Sequence, residues 1–325
     1  MDAITHFLTR EEIEHYESLG INFNSDIIDP KIDSVFKAMF TSDSKESRKA
    51  LTHFLSGVLN REIKTVTVKN NELAVTGLMQ KQSVFDIHVV FNEGDEADIE
   101  MQMRIKDNLI SRSEYNTAKL YGSQDIRGKN YANLNKVYTI TILNCTLFND
   151  SKDFYDEYMY RNAKGKILSG NTQIIFIELT KLDKLLKKPV KDMTPTEKWA
   201  LFFKYANHKD KQNLIHELKQ SEEGVKMSAL VLETISKNRD EYISHFYRLK
   251  AEIDHESQLI YARDEGIKEG IKEGIKEGKA ERDIEIAKDM LRDREPVDKI
   301  IRYLRLDKST IIKLQKELNI IHQNI

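Results

Sequence analysis

The sequence is poor in cysteine and has no long apolar run. One cysteine, Cys145, stands among 325 residues, which excludes an internal disulfide. A lone cysteine favours a reducing compartment, so we expect a cytoplasmic protein. No apolar stretch approaches the roughly 20 residues of a membrane span, and the first residues lack the basic and apolar segments of a secretory signal. The sequence therefore predicts a protein without a membrane segment.

An excess of charge of either sign is also missing. Lys and Arg number 51, Asp and Glu number 53, and the net charge is −2 at pH 7. A balanced chain has no global field that attracts nucleic acid, so any such contact has to come from a local patch. Hydrophobic residues make up 40% of the chain, which is enough to build a substantial core.

The sequence does predict a β-hairpin between Ser83 and Met103. Both arms alternate apolar and polar residues with period two, which is typical of strands with two distinct faces. The segment 92–94, Asn-Glu-Gly, fits a three-residue hairpin loop with Gly94 in a left-handed conformation. In this register Phe91 pairs with Asp95.

The same register sets acids from the two arms against each other. Asp86 lies opposite Glu100, and His88 lies opposite Asp98. Directly opposed residues have Cβ atoms about 4.5–5.5 Å apart, where two carboxylates repel each other unless a cation lies between them. A hard divalent cation with oxygen ligands would offset the repulsion. The alternative is that these acids form the solvent side of an exposed hairpin, and the pattern alone favours that interpretation.

Gln102 lies two residues beyond Glu100, on the same face of its strand. A strand Asp with Glu-x-polar on the partner strand resembles the pattern of restriction-type nuclease cores. The resemblance implies that the residue here would position the attacking water, while a metal polarises the phosphoryl oxygen. The amide of Gln102 can orient water but cannot carry a proton or a positive charge at neutral pH. A zinc site is disfavoured because the sequence has no Cys/His cluster.

The segments around the hairpin predict a mixed sheet flanked by helices, the α/β class. Helices are expected at 10–18, 31–40, 45–59 and 108–124, the last capped by Asp107, and strands at 63–68, 73–79, 137–143 and 172–179. On the helix after the hairpin, Arg112, Tyr115, Asn116 and Lys119 share a polar face. One interpretation is a solvated face; the other is a helix behind the sheet that sends Arg112 or Lys119 towards a phosphate.

From about residue 182 the chain is predicted to be helical. A four-residue Glu-Gly-Ile-Lys repeat begins at Glu265 and sets Gly266, Gly270, Gly274 and Gly278 on one stripe. Small residues at this spacing allow close helix–helix approach, so we expect an oligomerising helix, with a flexible linker as the alternative. Residues 281–318 predict three short helices. A small packing module is favoured there over a DNA-binding helix-turn-helix, because the charges nearly cancel.

These features predict three domains and resemble a known family. The domains are a core over 1–185, a helical extension over 186–262, and a repeat helix with a small helical tail over 263–325. The chain resembles the PD-(D/E)XK nuclease-family transposases, also called the Rpn recombination-promoting nucleases. The matching residues are Asp33-Ser34-Val35-Phe36-Lys37, Phe85-Asp86-Ile87, Ile99-Glu100-Met101-Gln102, Arg112, Tyr121, Gly128-x-x-Tyr131 before residues 137–143, and the Glu-Gly repeat.

The resemblance implies a restriction-endonuclease-like fold and Mg²⁺- or Mn²⁺-dependent DNA cleavage linked to recombination. On the family pattern, Asp33 is the acid of the first helix, Asp86 and Glu100 are the metal ligands, and Gln102 completes the catalytic set. The family frequently carries Gln where other such nucleases carry Lys. Lys37 or Lys119 is then a candidate for the missing positive charge.

Three functions follow as hypotheses. The first is a metal-dependent DNA endonuclease that contacts nucleic acid through Lys37, His88, Arg112 and Lys119. The second is a catalytically weak or inactive nuclease-fold protein that binds DNA or assembles into oligomers through its C-terminal helices. The third is a nuclease that acts on RNA.

Overall fold

The computed structural model describes residues 10–18, 21, 25–69, 85–105, 108–124 and 130–323. The chain divides into two compact units, Met1–Lys250 and Ala251–Ile325. The predicted boundaries at 185 and 262 stay predictions, since compactness is a different criterion from the sequence features that suggested them.

The helices and strands of the first unit agree closely with the sequence pattern around the hairpin. Its strands are β1 (Val66–Val68), β2 (Ile87–Phe91), β3 (Asp95–Gln102), β4 (Val137–Leu143), β5 (Tyr155–Met159) and β6 (Thr172–Glu178). Its helices are α1 (Arg10–Ser18), α2 (Asp33–Thr41), α3 (Lys45–Val58), α4 (Leu109–Gly122), α5 (Pro195–Tyr205), α6 (Gln212–Ser221) and α7 (Glu223–Lys237), and α8 (Arg239–Arg292) begins there.

The strands form one mixed six-stranded sheet in the order β1-β2-β3-β4-β6-β5. Strands β3, β4 and β6 run parallel. Strands β2 and β5 are antiparallel to their neighbours β3 and β6, and β1 is antiparallel to β2. Helix α4 connects β3 to β4 and packs against β4 and β6, as expected for a crossover between parallel strands. The predicted mixed sheet with flanking helices is confirmed.

An aromatic core lies among α2, α3 and α5. Phe40, Phe54 and Phe203 surround Trp199, with ring centroids 5.3 to 6.0 Å from that of the tryptophan. Helix α5 begins with the expected capping box, in which the Thr194 hydroxyl accepts from the Glu197 amide and the Glu197 carboxylate accepts from the Thr194 amide. These aromatic residues therefore serve in packing, as the sequence predicts.

The start of α4 differs from the sequence prediction, two predicted features lie outside the described residues, and one strand was not predicted. Helix α4 begins at Leu109, after Asn108 with φ of 69°, and the predicted cap Asp107 is outside the described residues. The predicted strand at 73–79 is also outside them. Strand β5 was not predicted, because it is an edge strand whose polar residues hide the period-two pattern.

The second unit contains the rest of α8, then α9 (Val297–Leu304) and α10 (Lys308–Gln323). The Glu-Gly-Ile-Lys repeat is helical throughout, so the linker interpretation is wrong for its secondary structure. The first of the three predicted short helices is the final part of α8. Among the described helices, no segment combines the length and the apolar character that a bilayer span requires.

Candidate functional site

The hairpin has the register that the sequence predicts. Ile87 pairs with Ile99, and His88 pairs with Asp98. The loop closes through Gly94, which has φ of 125° and whose amide donates to the Phe91 carbonyl over 3.1 Å. Asp86 immediately precedes β2, so the same register continues to Glu100 and sets the two carboxylates on neighbouring strands.

Helix α2 adds a cation to this pair of acids. The ammonium Nζ of Lys37 lies 3.0 Å from Asp86 Oδ1 and 2.7 Å from Oδ2 of Asp33, one helical turn earlier. Burial alone would lower the pKa of Lys37, but the charges of Asp86 and Asp33 raise it to about 12. Lys37 is therefore cationic and bridges the two acids.

The carboxyl group of Asp86 has a pKa well above that of an ordinary surface acid. Burial and the negative charges of Asp33 and Glu100 raise its pKa to about 7, although Lys37 acts to lower it. Even with the Lys37 ammonium 3.0 Å away, this carboxyl group is harder to ionise than an ordinary one, and a further bound cation would lower its pKa. The surroundings of Asp86 therefore favour a bound cation.

Glu100 is held in place by two donors. Gln102 Nε2 donates to Glu100 Oε2 over 3.2 Å, and Arg112 Nη2 on α4 donates to the same oxygen over 3.1 Å. Only 4% of Glu100 is exposed, so the interpretation of this residue as the solvent side of a hairpin is wrong. Arg112 reaches the sheet, so the predicted solvated helix face is wrong for this residue.

Asp98 is a site residue that sequence reasoning did not single out. It is fully buried, and neither carboxylate oxygen has a hydrogen-bond partner of normal geometry among the described residues. Burial and the charges of Glu100 and Asp86 raise its pKa well above the usual range. The available signal was its position two residues before Glu100, on the same face of β3.

Several buried polar atoms near these acids lack a hydrogen-bond partner among the described residues. Besides both oxygens of Asp98, they include Asp33 Oδ1 and the hydroxyl of Thr141, the residue that pairs with Glu100 across β3 and β4. An unpartnered buried polar atom costs about 1–3 kcal/mol, so such atoms usually signal bound water or ions. The donor set fits a hydrated divalent cation.

The number of protein ligands also fits Mg²⁺. Within the described part of the chain, no group of three or more His, Cys, Asp or Glu residues is arranged to hold a metal. Mg²⁺ typically takes one or two carboxylates and fills its shell with water and substrate phosphate oxygens. Asp86 and Glu100 are the two carboxylates that would hold it, and zinc remains disfavoured.

Two of the predicted nucleic-acid contacts, His88 and Lys119, are engaged by other side chains. His88 Nε2 is 2.8 Å from Glu96 Oε2, and only 8% of the histidine side chain is exposed. The ammonium of Lys119 lies 5.9 Å from the centre of the Tyr115 ring. Contacts from His88 and Lys119 to a phosphate stay predictions. The structure brings Asp33, Lys37, Asp86, Glu100, Gln102 and Arg112 together.

One comparison with known proteins returned a match. The family model described as PD-(D/E)XK nuclease family transposase matches residues 30–262. The matched span includes α2, the hairpin, α4 and the whole sheet. Searches of curated proteins and of solved structures returned no match.

Proposed function

From the fact that the chain belongs to the PD-(D/E)XK nuclease transposase family, we propose that it is a divalent-metal-dependent DNA endonuclease acting in recombination or transposition. The family supports a nuclease-type function. We further propose that its substrate is DNA, that its cofactor is Mg²⁺ or Mn²⁺ and that it acts in the cytoplasm. Asp33, Asp86, Glu100 and Gln102 are its catalytic residues, with Asp86 and Glu100 as the metal ligands.

One observation supports the proposal most strongly. Asp86 immediately precedes β2 and lies opposite Glu100 of β3 in the hairpin register, and both oxygens of Asp98 and Oδ1 of Asp33 nearby lack hydrogen-bond partners among the described residues. A structural role would favour a fully paired set of buried charges, since unpaired ones are costly. A site that binds a cation and a phosphate has a reason to keep these oxygens available.

The bound cation, Arg112 and Gln102 would have different roles in the reaction. The bound cation would supply Lewis acidity at the scissile phosphate and lower the pKa of a water. Arg112 and Gln102 orient Glu100 through their hydrogen bonds to Oε2. Gln102 can also orient the attacking water through its amide, although it cannot accept the proton as a base.

Lys37 is our candidate for the positive charge that Gln102 lacks. Its ammonium lies 3.0 Å from Asp86 Oδ1, at the edge of the proposed metal site, and about a third of its side chain is exposed. An ammonium there can stabilise charge that develops on the phosphate. Asp33, which binds Lys37 on the same helix, would hold that ammonium in position.

The direct test is cleavage of plasmid DNA in Mg²⁺ or Mn²⁺ by the wild type and by Glu100→Gln and Asp86→Asn. We expect metal-dependent nicking by the wild type and none by either variant. Asp95→Asn is the matched control, because Asp95 lies on the same hairpin but pairs with Arg61 and not with a residue of the site. The Arg61 Nη1 to Asp95 Oδ2 distance is 2.7 Å. Equal cleavage by wild type and site variants would remove the proposed site.

A second candidate function is DNA binding by an inactive nuclease core. Its specific support is Gln102, which occupies the position where a lysine would assist chemistry. DNA binding without cleavage in any divalent metal would favour it. Running RNA of the same sequence beside the DNA separates the third possibility, a ribonuclease.

We also propose that the repeat of α8 joins copies of this chain into a homo-oligomer. Gly266, Gly270 and Gly274 have nothing within 4 Å of an added Cβ, and neighbouring isoleucines at 267, 271 and 275 are 50% to 67% exposed. Each glycine costs the helix about 1 kcal/mol relative to alanine. A close helix partner would offset that cost, and Ile271→Lys should then reduce the mass measured by sedimentation equilibrium.

A further inference from the structure

The end of the chain forms a small helical unit with its own core. The last turns of α8 contribute Ala287, α9 contributes Ile300, and α10 contributes Ile311 and Leu314, all of them buried together. Leu304 and Leu306 pack against this cluster from the end of α9 and the following turn. Three short helical segments around one apolar centre fix the position of α10 relative to α9.

The connection between α9 and α10 is a three-residue turn built for a sharp change of direction. Arg305 ends α9 in the left-handed conformation, with φ of 53°, and its amide donates to the Ile301 carbonyl. Leu306 turns inward to the core. Asp307 then caps α10, because the Thr310 amide donates to its carboxylate over 2.9 Å.

The spacing of these features is that of a helix-turn-helix. An eight-residue first helix, a turn of three residues and a capped second helix match the unit in which the second helix enters the major groove. The buried residues lie in the middle of the first helix and on the inner face of the second, and Leu304 and Leu306 pack against them.

The outer face of α10 is polar and basic. Opposite Ile311 and Leu314, at helical spacing, lie Ser309, Ile312, Lys313 and Lys316, and all four are exposed. Neither lysine has an ion-pair partner among the described residues. Glu317 is the one acid of α10, and it falls at the border of this face rather than on it.

The charges nearly cancel over residues 281–318 but not over α9, the turn and α10 taken alone. From Val297 to Gln323 the chain has six Lys and Arg residues against three Asp and Glu residues. Arg302 and Arg305 remain exposed beside the turn. The sequence preference for a packing module rested on the summed charge, which does not describe the surface that a partner meets.

We propose that α9 and α10 are a helix-turn-helix that binds duplex DNA through the outer face of α10. Lys313 and Lys316 contact phosphates, and Ser309 and Ile312 face base edges in the major groove. This site is formed by residues of the second unit and uses none of the residues of the hairpin site. It gives the protein a means of choosing or holding DNA that is independent of cleavage.

The test is equilibrium binding of full-length protein to a fluorescent duplex in EDTA, where no cleavage can occur. We expect the double variant Lys313→Gln/Lys316→Gln to bind at least about tenfold more weakly and to lower the slope of log affinity against log salt by about two. The matched control is Lys184→Gln/Lys187→Gln, an exposed pair with the same spacing in the first unit, which should bind as the wild type does.

Circular dichroism of each variant checks that the helices are retained. Unchanged affinity of the Lys313/Lys316 variant, or equal weakening by the control pair, would overturn the proposal. A change of oligomer mass with no change in DNA affinity would also overturn it, because the face would then serve a protein contact. Failure of the nuclease proposal gives a different result, since binding in EDTA would persist while Mg²⁺ produced no cleavage.

Discussion

The hairpin site and the C-terminal unit use the same charged residue types in opposite ways. Around Asp86 and Glu100, charged groups are buried, held by named donors and shifted in pKa. On α10 the lysines are exposed and keep only helical spacing. Burial fixes geometry and alters protonation, which chemistry needs, whereas exposure leaves charge available to phosphates, which recognition needs.

The largest expected effect separates two neighbouring isoleucines of α10, one on its buried face and one on its exposed face. Ile311 is fully buried and Ile312 is 40% exposed. We expect Ile311→Ala to destabilise the second unit by about 2–5 kcal/mol and Ile312→Ala by less than about 0.5 kcal/mol. Hydrogen exchange of the α10 amides under native conditions measures both. Similar losses from the two would mean that the inner and outer faces of α10 are wrongly assigned.

Removing the Lys37 ammonium from the hairpin site tests the part of the comparison that concerns catalysis. We expect Lys37→Gln to lower the cleavage rate by about 10²–10³-fold, because a donor aimed at developing charge is lost. Lys37→Arg should recover part of the rate. Single-turnover cleavage in Mg²⁺ is the measurement, with Lys64→Gln, a mostly exposed lysine, as the control. A rate for Lys37→Gln equal to that of the wild type would contradict the assignment.

The raised pKa of Asp86 predicts how stability changes with pH. The folded pKa is about 7 against about 3.8 in the unfolded chain, so the folded state binds the extra proton between these values. Stability should fall as pH rises through this range. Residue 86 does not titrate in Asp86→Asn. The free energy of unfolding of this variant should therefore rise relative to that of the wild type, by on the order of 1–3 kcal/mol as the pH increases from 4.5 to 8.

Urea unfolding of both proteins in EDTA across that range gives the difference. A difference that stays constant or shrinks as pH rises would mean that Asp86 is ionised normally in the folded protein.

The smallest effect is expected in the repeat helix. Gly270→Ala should stabilise α8 by about 0.5–1 kcal/mol, since alanine is the better helix former and has room for its Cβ. If copies associate along the glycine stripe, the same change should weaken association. Thermal melting and sedimentation measure the two effects, and tighter association would exclude the stripe as the contact.

Local pattern was sufficient for the hairpin. Period-two alternation and a loop ending at Gly94 predicted both the strands and their register, which the structure confirms. The edge strand β5 escaped because its polar residues carry no alternation. The hairpin could be predicted because its pairing depends on two adjacent strands and their turn. Strand β5 could not, because its pairing depends on β6, which is not joined to it by a short turn.

The site shows the same division. The proximity of Asp86 and Glu100 follows from hairpin register, which local residues determine. The bonds from Lys37 to Asp86 and from Arg112 to Glu100 join separate elements, so only the fold reveals them. The burial of Asp98 likewise depends on the elements that pack around β3, which no spacing along the chain encodes.

The most direct test of the central claim is a crystal of the protein soaked in Mn²⁺, examined by anomalous scattering. The account predicts a single strong peak bound by the carboxylates of Asp86 and Glu100, absent from crystals of Glu100→Gln. A peak held by other residues, or one that survives the Glu100→Gln substitution, would contradict it.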